Sequence, residues 1–150
     1  MHRPAHSPLA SSGALLLAGA LAFGALAAGA AHAGELEGAR WKVIAAERAG
    51  KPNPSELDAV LLFEDGTLKI RSPDGTPVEF EYALDRGPNP AHVDLTRGED
   101  DKRLTLHGIW KVDGDRFTLC VAAPFDDRPT GFATAEGQAT SLTVHERVAE

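Results

Sequence analysis

The stretch AVLLFEDGTLKIRS, residues 59–72, decides the fold. Apolar side chains recur at every second position on both sides of Asp65-Gly66. That pair marks a two-residue hairpin, because a type I′ turn needs positive φ at both central positions, which Asp and Gly tolerate. The turn sets the register: Phe63 opposes Leu68 and Leu61 opposes Ile70, so all four share one face.

The same period of two continues along the chain. Trp41, Val43 and Ala45 alternate in the first run. Val78, Phe80, Tyr82 and Leu84 alternate against Glu79, Glu81 and Ala83. Val93 and Leu95 form a short run. Leu104, Leu106, Trp110 and Val112 alternate with Gly108 on their face, where a glycine marks a bend or a close backbone approach. Phe117, Leu119 and Val121 follow the Asp113-Gly114 turn, and Leu142 and Val144 fall on the apolar face of the last run. Turn residues separate the runs: GKPNPSELDA, with room for one helical turn at 55–58, then SPDGTP, DRGPNP, TRGEDDKR and the longer APFDDRPTGFATAEGQ. About eight short strands in sequence predict an all-β chain, a small antiparallel up-and-down barrel that removes exposed edges by closing on itself. A flattened sandwich of the same strand order is the alternative.

Residues 1–33 read as a signal peptide. Arg3 precedes an Ala-, Leu- and Gly-rich run that ends in Ala31-His32-Ala33, an A-x-A cleavage site. The predicted domain is then 34–150, exported to the periplasm or beyond, with no membrane span after cleavage. Loss of Arg3 moves the formal charge from −7 to −8. A domain of that sign repels nucleic-acid phosphate and anionic lipid, so no nucleic-acid partner is expected. Cys120 is the single cysteine and forms no internal disulfide.

Three segments carry a resemblance: LEGARWKVIAAERAGKPNPSEL, LHGIWKVDGDRFTLCVAAPFDDRPTGF and LTVHERV. They resemble a family of exported domains of unknown function, described as lipocalin-like and abundant in planctomycete bacteria. The likeness implies export and a lipocalin-like barrel, and no reaction. It also implies two structural residues, Arg147 stacked over Trp41 by a cation–π contact that seals one barrel end. The spacing Gly38-Ala39-Arg40-Trp41 has one residue more than the family pattern, which points to a bulge at the strand start.

No catalytic constellation stands out. His92, His107 and His145 lack metal-motif spacing and read as surface side chains, so no metal and no cofactor are expected. His92 and Asp94 share a strand face, and His107 lies opposite Trp110. Cys120, between Leu119 and Val121, faces away from the apolar side and reads as structural. The turn aspartates read as caps of their own backbone, and Asp113-Gly114-Asp115 as a hairpin turn. The expected role is a non-enzymatic module that binds a small apolar ligand or an envelope partner at the barrel mouth, with Arg128, Trp110 and Tyr82 as ligand-binding residues. A solid barrel acting as a structural or interaction domain is the alternative, and an enzyme a distant third. The bulk of the apolar alternates, two Trp and three Phe among them, predicts a mostly packed interior with at most a small mouth pocket.

Overall fold

The computed structural model describes residues 36–149. The expected signal peptide lies outside the described residues. Among the described residues nine strands are present: β1 (Arg40–Arg48), β2 (Lys51–Pro52), β3 (Val60–Glu64), β4 (Thr67–Arg71), β5 (Pro77–Asp85), β6 (Ala91–Arg97), β7 (Leu104–Asp113), β8 (Arg116–Val121) and β9 (Ser141–Val148). Every neighbouring pair is antiparallel, and β1 also pairs with β9. Eight strands thus close into an up-and-down barrel, with β2 added beside the end of β1. The 59–72 register is as read: Phe63 faces Leu68 and Leu61 faces Ile70. Asp65 and Gly66 have φ of 51° and 80°, as the turn requires.

The barrel has two unlike ends. The closed end holds the start of β1, the end of β3, the start of β4 and the β7–β8 hairpin. There Trp41, Phe63, Leu68 and Phe117 are fully buried. Phe117 meets Trp41 at 5.5 Å and Phe63 at 5.6 Å between ring centroids, and Phe63 meets Tyr82 edge-on at 5.1 Å. Tilted and edge-on contacts of this kind add to the area buried. Leu36 plugs this end, its carbonyl accepting from Trp41 Nε1 at 3.2 Å. The expected seal is present, with the Arg147 guanidinium 4.5 Å from the Trp41 ring centroid.

The bulge in the first strand falls later than the spacing predicts. The β1–β9 register shifts between Val43 and Ala45. The extra residue turns the strand over, so Ala45 is exposed and Ala46 packs against the core. It also brings Arg48 to the open end. A tight turn at Ala49-Gly50, both with positive φ, then leads into β2 and a 3-10 turn at Pro54–Glu56, where the helical turn was expected a residue later.

The last strand is inverted relative to expectation. Thr143 and His145 point inward and are buried, whereas Leu142 and Val144 stand outside the central cluster. The reason lies in the 122–140 segment, whose middle lies over the outer face of this part of the barrel while its ends border the cavity at the open end. Arg128 ties it to β6 and β7, Phe132 receives the Lys111 ammonium at 4.7 Å from its ring centroid, and Thr134 donates to Glu47 of β1 and accepts from the amide of Gly50. Beneath it Ile109 and Cys120 are buried, on the opposite side of the sheet from the core. Both faces of β8 and β9 are therefore covered.

Gly108 has no room for a side chain between its neighbours on β6 and β8. A Cβ there would lie 2.8 Å from the Cys120 carbonyl oxygen and 3.1–3.2 Å from Val121 and Val93 methyls. Gly108→Ala is expected to cost about 1–3 kcal/mol by overpacking, read as a lower urea midpoint with unchanged slope in circular dichroism.

Candidate functional site

The open half of the barrel encloses a cavity of about 330 Å³. Its lining stops at one level strand by strand. Ile70 but not Leu68, Phe80 but not Tyr82, Leu95 but not Val93, Leu106 but not Trp110, and Leu119 but not Phe117 face it. Leu61, Val43, Ala59 and Val121 continue the apolar wall, and Ala122, Ala123, Pro124 and Ala139 border it. Along β9 the lining is Ser141, Thr143 and His145. Arg48, Ser55, Glu56 and Ser72 line the same space, carried by the β1–β2 hairpin, the 3-10 turn and the end of β4. The result is an apolar cup above an aromatic plug, with a polar strip down β9 and charge at the mouth. Burial raises the Glu56 pKa, partly offset by the positive charge of Arg48.

His145 is the lining residue of β9 nearest the closed end. It has no exposed surface, and its ring stacks on Phe117 at 4.7 Å between centroids, 24° from parallel. Nδ1 lies 2.8 Å from the Phe117 carbonyl oxygen. A carbonyl only accepts, so Nδ1 carries the proton, and in neutral imidazole Nε2 is then an acceptor. Nε2 is buried and has no hydrogen-bond partner. Burial pulls the His145 pKa down to about 4, partly offset by the bond to Phe117, so the ring is neutral at pH 7. This residue reads from sequence as a surface histidine, and the structure corrects that: it follows from the inversion of β9, which places the polar alternate of TSLTVHERV inside.

None of Arg128, Trp110 and Tyr82 lines the cavity. Trp110 is packed at the closed end, its Nε1 donating to the His92 carbonyl at 2.9 Å and its ring under Arg86. Tyr82 also sits there, donating to Glu37 at 2.8 Å, and burial with the nearby Glu37 carboxylate pushes its pKa to about 12. Arg128 is on the outer wall. Its Nη1 donates to the carbonyls of Val93 (3.0 Å) and Gly108 (2.8 Å), and its Nη2 to Asp94 at 2.8 Å. Asp94 also accepts from His107 Nδ1 at 2.8 Å. Burial alone would raise the Asp94 pKa, but the bonds and charges of His107 and Arg128 lower it overall. These bonds pin the covering segment to β6 and β7. Among the described residues no group of three or more His, Cys, Asp or Glu is placed to hold a metal ion.

Fold and site define a closed antiparallel barrel with one packed and one hollow half. No protein-family model, curated protein or solved structure matches the chain.

Two outcomes follow from the buried titratable groups. The folded pKa of His145 lies below its unfolded value of 6.5, so between pH 6.5 and about 4 the unfolded chain binds the extra proton. Stability contributed by the neutral ring is complete above that window and is lost as pH falls through it, by at most about 1.4 kcal/mol per pH unit. Urea midpoints measured from pH 7 to 4.5 are expected to fall more steeply in the native sequence than in His145→Phe. Burial also raises the Cys120 pKa, partly offset by the Ala133 backbone contact. The thiol is expected to react with an aromatic disulfide reagent far more slowly in the folded protein than in urea. Equal rates would mean that the covering segment opens freely.

Proposed function

We propose that the protein is an exported, lipocalin-like binding module that holds one small, largely apolar ligand in the open half of its barrel. The observation that carries this reading is the cavity itself: its volume lies within the roughly 300–1,000 Å³ typical of small-molecule sites, and its walls are apolar with a few convergent polar groups. The packed half supports it from below, because a floor fixed by Phe117, Trp41 and Phe63 keeps the cup from collapsing. The A-x-A segment and the resemblance to exported lipocalin-like domains support the location. No step of covalent chemistry enters this reading, and the pinned, bonded state of Asp94, His107 and Arg128 favours a structural use of that cluster.

A solvatochromic naphthalene dye is expected to bind with a stoichiometry of one and to be displaced by aliphatic ligands. Thr143→Phe adds bulk from β9 into the cavity and is expected to weaken the dye by at least about tenfold, roughly 1.4 kcal/mol, while circular dichroism stays that of the native barrel. A dye affinity unchanged by this substitution would place binding on the outer surface and leave the solid-barrel interaction domain as the better reading.

A further inference from the structure

We propose that the end of the ligand that enters first carries a hydrogen-bond donor, a hydroxyl or an amide N–H, which His145 Nε2 accepts at the cavity floor. The inference rests on the binding reading above and adds the chemical class of the ligand. Three observations converge on it. The Phe117 carbonyl fixes the proton on Nδ1, leaving Nε2 an acceptor. Nε2 is buried without a partner, a state that costs free energy until a donor reaches it. His145 is also one of the residues that line the cavity, the deepest that β9 contributes.

The acceptor excludes as well as selects. A carboxylate has no donor and would set its lone pairs against that of Nε2. An ammonium could donate, but it would lose its hydration inside an apolar cup without a countercharge. A neutral donor has neither fault, and the depressed pKa of His145 keeps the ring neutral to meet it. The ligand therefore enters donor end first, with its chain against Phe80, Leu95, Leu106 and Leu119, and any charge it bears rests at the mouth beside Arg48 and Glu56. From Ser141 to His145 the polar strip runs four residues, about 13 Å at roughly 3.3 Å per residue. That length suits a medium-chain alcohol, or a phenol or amide of similar reach.

Calorimetric titration of the full domain with n-decanol, its methyl ether and decanoate tests this. The alcohol is expected to bind at least about tenfold more tightly than the ether, since a site built to bond a donor rejects an analogue lacking it. In His145→Leu the alcohol–ether gap is expected to shrink below about twofold, with ether binding kept. The nitrogen resonance of Nε2 is expected to shift on adding the alcohol and not the ether, a readout that needs no variant to fold. Equal binding of all three ligands, tightest binding by decanoate, or an Nε2 resonance that ignores the alcohol would overturn the donor assignment and leave the binding reading standing. Failure of every ligand and of the naphthalene dye to bind the native protein would remove both.

Discussion

The pairing of β1 with β9 is the constraint on which the rest of the structure depends. It joins the first and last strands over the whole length of both, from Arg40 opposite Val148 to Arg48 opposite Ser141. Without it the sheet would expose two edges and the interior would be a groove. With it, Trp41 and Arg147 face each other across the seam, and the cation–π contact locks the closed end where the chain enters and leaves the barrel. The bulge in β1 sits on the same seam. It lets one strand serve both halves, giving Trp41 and Val43 to the interior on one side of the irregularity and Arg48 to the mouth on the other.

Closure also separates the work of the two halves. The plug buries Trp41, Phe63, Leu68 and Phe117 against one another. The cup mixes small groups, Val43, Ala59, Ser141 and Thr143, with larger ones such as Phe80 and Leu106, and leaves a cavity of about 330 Å³. An eight-stranded barrel is just wide enough to be filled by side chains or to hold one small ligand. This chain is filled in one half and hollow in the other: side-chain bulk predicts a mostly packed interior with at most a small mouth pocket, and the open half holds a cavity of about 330 Å³.

Much of the fold is legible in the sequence because hairpin chemistry is local. Asp65-Gly66 sets a register that alternation then extends through β3 to β8, and Gly108 announces the close approach it makes. What alternation does not convey is which face is inside when both are covered. In β9 the apolar alternate, Leu142 and Val144, lies outside where the 122–140 segment covers the barrel, and the polar alternate lies inside where a cavity accepts it. Arg128 misleads for a related reason. A loop arginine reads as free for a ligand, yet the fold returns its loop to the sheet and uses its donors on the Val93 and Gly108 carbonyls and on Asp94. Only the three-dimensional return of the loop reveals these acceptors. The site residue that sequence reasoning missed, His145, had one signal available: an ionisable ring in the alternate opposite Leu142 and Val144.

The placement of the two indole rings has a consequence for how the molecule reports on itself. Trp41 and Trp110 both belong to the packed half, and neither borders the cup. Intrinsic emission from this protein is therefore a gauge of whether the plug is assembled. It registers unfolding sharply, because the Trp41 ring passes from complete burial beneath a guanidinium into water, and it is nearly blind to occupancy beyond the layer formed by His145 and Phe117. A flat emission trace during a ligand titration is the natural optical behaviour of a barrel whose chromophores and whose guest occupy opposite ends.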